Sequence, residues 1–281
     1  MTAHFEKHAV DAPRLSAELL LAHVIGCERL RLYMEADRPA SPIERDALRA
    51  LVERATAHEP IAYLLGEAWF FGLRMTVTAD TLIPRPSTVT IVEHILQRQR
   101  AGAGASAPLI AEIGVGSGAV SIAIARHLRT ARIIATDISD AAIEVARENA
   151  AEHKVADRME FRTGSLLEPL RGGREWSRFD YIISNPPYIS DAEWTVVDRN
   201  IRDYEPHSAL RGGSDGLEFL RPLIQNAPTG LAPAGQVVFE FAASQRTAIL
   251  ALTREQSDLV EPHILSDHEN LPRVLVATRR S

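Results

Sequence analysis

Apolar residues in the first part of the chain recur at the spacing of one helix face. Leu15, Leu19 and Val24 carry this pattern and predict a first helix. A second helix is predicted behind the Ser-Pro-Ile-Glu sequence at 41–44, because serine is a favoured N-cap, proline fits the first turn, and glutamate can return the capping hydrogen bond. No heptad pattern persists, so we predict a small helical domain over residues 1–65 and not a coiled coil.

The pattern changes after residue 65. Aromatic and β-branched residues flank Gly72, which predicts a β-hairpin. Two prolines in the following segment, 81–86, force an extended path, because the residue before a proline avoids the helical region. We therefore predict a hairpin and connector over residues 66–86, followed by a helix over about 87–98.

From residue 109 onward, short apolar runs alternate with helical patterns. Strands are predicted at 109–113, 131–136, 159–162, 179–184, 236–241, 258–265 and 272–278. Helices are predicted at 117–129, 140–153, 215–227 and 244–254. This alternation predicts an α/β fold with a mostly parallel sheet between two layers of helices. The last two strands have no helix between them, which predicts an antiparallel edge.

Composition narrows the class of protein further. Of 281 residues, 46% are hydrophobic and 24% charged, as in folded globular proteins. No apolar run approaches the roughly 18 residues of a membrane span, and the N-terminus lacks the apolar core of a signal peptide. The one cysteine, Cys27, allows no internal disulfide and no zinc site by itself. These features predict a cytoplasmic protein with no membrane contact and no metal. A net charge of −6 argues against a nucleic-acid-binding surface, so we expect no stable nucleic-acid binding.

A glycine-rich segment lies directly after the predicted strand 109–113 and opens the next helix. Its residues are Glu112, Gly114, Val115, Gly116, Ser117 and Gly118. Glycines permit a tight turn and let a ligand lie against the backbone, while the helix N-terminus offers unpaired N–H donors. The G-x-G-x-G spacing differs from the G-x-G-x-x-G of dinucleotide-binding folds, and a leading carboxylate suits a cationic ligand better than a pyrophosphate. A tight turn without a ligand is the alternative.

Asp137 follows the next predicted strand, about 20 residues beyond the glycines, where a carboxylate can accept hydrogen bonds from a ribose diol. Taken alone, Asp137 could equally be an N-cap for the helix that begins near residue 140, although Asp140 is at least as good a candidate for that cap. Together with the glycine-rich segment it favours a nucleoside ligand.

The most specific motif is Asn185-Pro186-Pro187-Tyr188, which follows the predicted strand 179–184. This position lies at the carboxyl edge of the sheet, where open α/β sheets bind ligands. Two prolines hold the backbone rigid, asparagine supplies an acceptor and two donors, and tyrosine supplies a flat apolar face. Such a site suits a planar group that carries an NH2, and a proline turn without function is the alternative.

These motifs together resemble those of class I S-adenosylmethionine-dependent methyltransferases, and among them the protein-(glutamine-N5) methyltransferases of bacterial release factors. The resemblance covers nearly the whole chain. It rests on the segments SAELLLAHVIG, EPIAYLLGEAWFFGLRMTV, TLIPRPST, EIGVGSG, ATDIS, ISNPPYI and YEPHSALRGGSDGLEFLRPLI. It implies a Rossmann-like methyltransferase domain over residues 87–281 with a seven-stranded sheet, and S-adenosyl-L-methionine as the cofactor.

The resemblance also implies roles for the motif residues. The cofactor is expected at the glycine-rich segment and Asp137, joined by Ile138, Ser165, Leu166 and Asn185. Asn185 and Pro186 are expected to orient the NH2 of a glutamine, Pro187 to hold the turn rigid, and Tyr188 to pack on the amide plane. The implied substrate is the Gly-Gly-Gln loop of a peptide-chain release factor, which we expect the helical domain of a monomeric enzyme to recognise.

Three positions depart from the pattern of this family. Members usually carry an acid where Ser87 and Ser165 stand, and E-I-G where this chain has Glu240-Phe241-Ala242. Position 165, where the family usually has a carboxylate near the adenine amino group, therefore lacks one.

Other functions are distinguished by particular features of the sequence. N-P-P-Y also fits adenine-N6 methyltransferases of nucleic acids, although the EP-x-AY-x-LG and EP…AL…G…DGL segments separate the two families. A different protein substrate, such as a ribosomal protein, stays open. A catalytically silent cofactor-binding protein has no need of the rigid Asn185 motif, and the glycine spacing disfavours a nicotinamide oxidoreductase.

Overall fold

The structure is a computed structural model that describes residues 1–281. The helices are α1 (Thr2–Lys7), α2 (Pro13–Ile25), α3 (Arg29–Met34), α4 (Pro42–Thr56), α5 (Ile61–Leu65), α6 (Val89–Arg100), α7 (Ala119–His127), α8 (Asp140–Glu152), α9 (Asp191–Trp194), α10 (Arg199–Arg202), α11 (Leu220–Asn226) and α12 (Arg246–Arg254). The strands are β1 (Glu67–Phe70), β2 (Leu73–Thr76), β3 (Leu109–Ile113), β4 (Arg132–Asp137), β5 (Met159–Thr163), β6 (Phe179–Ser184), β7 (Leu231–Glu240), β8 (Leu259–Ser266) and β9 (Pro272–Arg279). No helix combines the length and apolar character that a membrane crossing requires.

The chain divides into two compact units, and the smaller one is helical. It comprises Met1–Glu67 together with Asp198–Tyr204, a short segment that the sequence analysis placed in the methyltransferase domain. The Tyr204 hydroxyl donates to the carbonyl of Ala57 at 2.8 Å, which ties that segment to the end of α4. Such a long-range contact leaves no local trace in the sequence.

Helix α4 begins as predicted. The Ser41 hydroxyl accepts from the backbone N–H of Glu44 at 3.2 Å, and the Glu44 carboxylate accepts from the backbone N–H of Ser41 at 2.7 Å. This reciprocal capping box, with Pro42 in the first turn, confirms the predicted start. The helices pack on a small core that includes Phe5, Leu20 and Leu64.

The larger unit, Ala68–Val197 and Glu205–Ser281, contains the predicted seven-stranded sheet. The strand order is β5-β4-β3-β6-β7-β9-β8, and β3 to β7 pair in parallel. The last two strands form the predicted antiparallel pair. The outermost strand is β8, whereas β9 lies inside it and pairs antiparallel with both β7 and β8.

Both faces of the sheet are covered by helices, as the α/β pattern predicts. Side chains of β6, β7 and β9 alternate between two cores, so that Val238 faces the helices α6 to α8 while Val237 and Phe239 face α11 and α12. The carboxyl ends of β3, β4 and β6 are thereby held at one edge of a rigid layer.

One predicted helix is shorter in the structure. The pattern predicted a helix over 215–227, but α11 begins only at Leu220. Gly216 adopts φ of 73°, and the Asp215 carboxylate accepts from the backbone N–H of Leu217 at 3.0 Å. These features form a turn, because side-chain acceptors of this kind compete with the helical hydrogen bonds.

Candidate functional site

The glycine-rich segment forms a tight turn between β3 and α7. Gly114, Gly116 and Gly118 have φ of 75°, 53° and 82°, values that side chains rarely adopt. The backbone N–H groups of Gly114 and Val115 donate to the carbonyl of Thr136 at 2.8 and 2.9 Å, which fixes the turn against β4. A Cβ atom at Gly114 or Gly116 would meet no protein atom within 4 Å, so the space beside the turn is open to a ligand.

Asp137, at the end of β4, presents an oriented carboxylate beside this turn. Its Oδ2 accepts from the backbone N–H of Gly116 at 2.9 Å, and its Oδ1 accepts from the backbone N–H of Ser139 at 3.0 Å. Each oxygen keeps a further lone pair. Ser139 and not Asp137 caps α8, since its hydroxyl accepts from Ala142. The carboxylate is thus held in one orientation and remains able to accept hydroxyl hydrogens.

Glu112 is buried beneath the turn and anchors α7. Its Oε2 accepts from the backbone N–H and the hydroxyl of Ser121, in the first turn of that helix. Burial raises the pKa of Glu112 to about 8, against the hydrogen bonds from Ser121, which lower it. One oxygen of this carboxyl therefore holds the start of α7 in place.

The Asn185 motif follows β6, and its backbone is fastened to the neighbouring strand. The Ser184 hydroxyl donates to the carbonyl of Ile113, the last residue of β3, at 2.7 Å. The Asn185 Nδ2 donates to the hydroxyl oxygen of Thr88 at 3.1 Å. This contact leaves Asn185 Oδ1 as the free acceptor of that side chain.

The Tyr188 side chain lies apart from the other predicted residues. It packs against the core formed by α11, α12 and the sheet. Burial, and next the neighbouring carboxyl of Glu240, raise the pKa of the Tyr188 hydroxyl. Glu240 itself is fully buried, accepts from the Ser87 hydroxyl at 3.0 Å, and has one oxygen, Oε2, without a hydrogen-bond partner.

One cavity collects most of the predicted residues at the carboxyl edge of the sheet. Its lining includes Glu112, Gly114, Val115, Gly116, Ser117, Asp137, Ile138, Ser165, Leu166, Asn185, Pro186 and Pro187. Gly118 and Tyr188 are not part of this lining. A Cβ atom at Gly118 would lie 3.0 Å from Ile122 and 3.3 Å from Ala146, so Gly118 permits the close packing of α7 on α8.

Comparisons with known proteins agree with this arrangement. Residues 1–66 match the PrmC N-terminal domain, and residues 91–213 match the methyltransferase small domain. A release factor glutamine methyltransferase of Chlorobaculum tepidum is 37% identical over 275 residues, which cover 97% of this chain and 92% of the relative. Another, of Geobacter sulfurreducens, is 39% identical and covers 89% of this chain and 84% of its own length.

The chain belongs to the release factor glutamine methyltransferase family. Among solved structures, a methyltransferase from Pyrococcus furiosus has a TM-score of 0.53 at 20% identity, and the match covers 83% of this chain and 98% of that one. At this identity the likeness concerns the fold, which confirms the predicted Rossmann-like architecture.

Residues of the connector also line the cavity, although the sequence patterns did not single them out as site residues. Arg85 of the connector and Thr88, which lies just beyond its end, line the cavity and contact distant parts of the chain. The Arg85 guanidinium forms an ion pair at 2.5 Å with Glu205, whose side chain is 1% exposed. Glu205 also accepts from the backbone N–H of Ile83 at 3.1 Å. Arg85 lies in the family segment TLIPRPST and Glu205 in YEPHSALRGG, but only the folded structure shows that the two residues contact each other.

The donors and acceptors of the cavity fit a nucleoside-bearing methyl donor. The open space beside Gly114 and Gly116 admits a ligand against the backbone, and Asp137 offers acceptors to a diol. The exposed side chain of Ile138 provides an apolar surface at the same place. His, Cys, Asp and Glu side chains form no group that could hold a metal ion.

Proposed function

We propose that this enzyme transfers a methyl group from S-adenosyl-L-methionine to the side-chain amide nitrogen (N5) of a glutamine in the Gly-Gly-Gln loop of a peptide-chain release factor. The observation that carries this proposal is the single cavity lined at once by the glycine turn with Asp137 and by Asn185 with Pro186. A methyl donor and a planar amide can therefore meet within it.

The cofactor would be held by the residues around the glycine turn. Asp137 would accept from the ribose hydroxyls, Ile138 and Leu166 would provide apolar cover for the adenine, and Ser165 would take the place of the usual acid near its amino group. When bound, S-adenosyl-L-methionine supplies a methyl group activated by a positively charged sulfur.

Asn185 and Pro186 orient the acceptor. An amide nitrogen is a poor nucleophile, because its lone pair is delocalised into the carbonyl. The Asn185 Oδ1 and the Pro186 carbonyl accept the two hydrogens of the glutamine NH2 and so direct the nitrogen toward the methyl group. Orientation and hydrogen-bond polarisation would supply the catalysis. The nitrogen releases one proton to solvent after the transfer, so no strong base is required before attack.

The choice of a release factor as the substrate rests on the family to which the chain belongs. The relatives from Chlorobaculum tepidum and Geobacter sulfurreducens bear that substrate in their names, and the similarity extends through residues 1–66. We assign substrate recognition to the helices of the smaller unit, and we place the monomeric enzyme in the cytoplasm, where release factors act. A glutamine flanked by glycines is unhindered, so it can enter a narrow cleft without unfolding of its protein.

The direct test is to incubate the enzyme with S-adenosyl-L-methionine and the release factor of its own host, and to locate added methyl groups by mass spectrometry. We expect one methyl group on the Gly-Gly-Gln glutamine, absent when that glutamine is changed to alanine. Duplex DNA and ribosomal proteins serve as competing substrates in parallel. Transfer to either of these, with none to the release factor, would assign the enzyme a different substrate class.

A further inference from the structure

An asparagine side chain has one acceptor and one donor end, and its rotation decides which end faces a substrate. A glutamine NH2 offers only donors, so Asn185 can receive it only with Oδ1 turned toward the cavity. In the structure, Asn185 Nδ2 is directed at the Thr88 hydroxyl oxygen at 3.1 Å. The two residues are 97 positions apart in the chain, so only the fold brings them into contact.

The Thr88 hydroxyl has a single hydrogen. If that hydrogen is donated to another group, the hydroxyl can only accept a hydrogen bond from Asn185. The candidate acceptor for that hydrogen is the carboxyl of Glu240, which is fully buried at the end of β7. The Ser87 hydroxyl already donates to Glu240 Oε1 at 3.0 Å, and Oε2 lacks a partner. Burial chiefly raises the pKa of Glu240, while the hydroxyls of Thr88 and Ser87 lower it, as donors to a carboxylate do.

We propose that Thr88 is a positioning residue that sets the rotation of the Asn185 amide, with its hydrogen directed to Glu240 and its oxygen to Asn185 Nδ2. The two hydrogen bonds then have the same direction, from Asn185 to Thr88 and from Thr88 to Glu240, and they leave Asn185 Oδ1 facing the cavity. Thr88 is well placed for this, because its side chain is 4% exposed and it ends the rigid 3₁₀ turn Pro86–Thr88 before α6. This inference rests on the proposed role of Asn185 as the acceptor for a glutamine NH2.

Two substitutions distinguish the effect of the Thr88 hydroxyl from the effect of its side-chain shape. Thr88→Val keeps the branched shape and removes the hydroxyl, whereas Thr88→Ser keeps the hydroxyl. We expect Thr88→Val to lower kcat for release factor methylation about tenfold, as the loss of one orienting hydrogen bond would, with the cofactor Kd unchanged. Thr88→Ser should retain most of the wild-type kcat. The matched control is Thr90→Val, since Thr90 is also buried but lies outside the cavity lining.

A second readout does not depend on activity. The chain has five asparagines, so selective ¹⁵N-asparagine labelling gives few side-chain NH2 signals, and that of Asn185 is the one lost in Asn185→Ala. In the free enzyme, Thr88→Val should shift this signal and speed its exchange with solvent, while Thr88→Ser and Thr90→Val should leave it in place. If Thr88→Val does not fold, Thr88→Ala replaces it with the same expectation.

Two results would overturn the inference. One is an Asn185 signal unchanged by removal of the Thr88 hydroxyl, and the other is an equal loss of kcat in Thr88→Ser and Thr88→Val. If the wild-type enzyme transfers no methyl group to the release factor, the proposed function fails, and the NMR comparison still decides whether Thr88 orients Asn185.

Discussion

The two ends of the cavity are built in different ways. At the glycine turn, backbone groups make contacts over moderate separations in the chain: the Gly116 N–H donates to Asp137 over 21 positions. At the Asn185 end, side chains meet over much longer separations, 97 positions for Asn185 and Thr88 and 153 for Ser87 and Glu240. The proposed cofactor site is thus marked by two short segments of consecutive strands, whereas the proposed acceptor site needs the whole sheet to be in place.

This difference predicts that substitutions at the two ends affect different quantities. The largest effect is expected for Asn185→Ala, which should lower kcat by about 10²-fold or more while cofactor affinity and folding are retained. The prolines already fix the backbone, so the lost function is that of the side chain. Single-turnover kinetics and calorimetry with the cofactor measure the two quantities separately.

Asn226→Ala is the control for this change, because Asn226 lies at the end of α11 and outside the cavity lining. Near-normal kcat in Asn185→Ala would contradict the orientation mechanism. An equal loss of cofactor affinity would show that the two ends are not separable.

At the other end, Asp137→Ala should weaken cofactor binding about ten- to a hundredfold, or about 1.5–3 kcal/mol, through loss of charge-assisted hydrogen bonds to the ribose. Calorimetry measures this Kd directly. Asp140→Ala is the matched control, since its carboxylate accepts from Thr163 at 2.5 Å and does not line the cavity. Unchanged affinity in Asp137→Ala, or tighter binding of NAD than of S-adenosyl-L-methionine, would refute the assigned cofactor site.

The last prediction concerns stability and not activity, and it involves the buried carboxyl beneath the glycine turn. Burial raises the pKa of Glu112 from 4.5 to about 8, so between these pH values the folded chain keeps a proton that the unfolded chain releases. The free energy of unfolding should therefore fall as pH rises through this window, by up to about 1.4 kcal/mol per pH unit from this group. Glu112→Gln should remove that contribution and gain stability relative to the wild type as pH increases.

Urea unfolding at several pH values between 5 and 8 checks this expectation through the difference between variant and wild type. Glu144→Gln serves as the control, since the Glu144 side chain is 67% exposed on α8. Parallel stability curves for Glu112→Gln and the wild type would mean that the carboxyl ionises normally beneath the turn.

Much of the fold could be predicted because its signals are local. The capping box of α4, the strands of the sheet and the glycine spacing of the turn after β3 each leave a pattern in residues that are neighbours in sequence. The predicted helix over 215–227 was too long, since the turn around Gly216 competes with it. The order of the strands along the chain does not reveal that β9 lies between β7 and β8.

The sequence by itself determined the α/β architecture, the glycine turn with Asp137, and the rigid Asn185-Pro186-Pro187 motif, because periodicity, turn chemistry and proline geometry act over a few residues. Only the tertiary structure decided what surrounds that motif. It directed Tyr188 toward the core and Glu240, and it brought Thr88 to Asn185. The physical reason is that side-chain hydrogen bonds form wherever packing of the sheet and its helices places donor and acceptor together, and that placement depends on the whole fold.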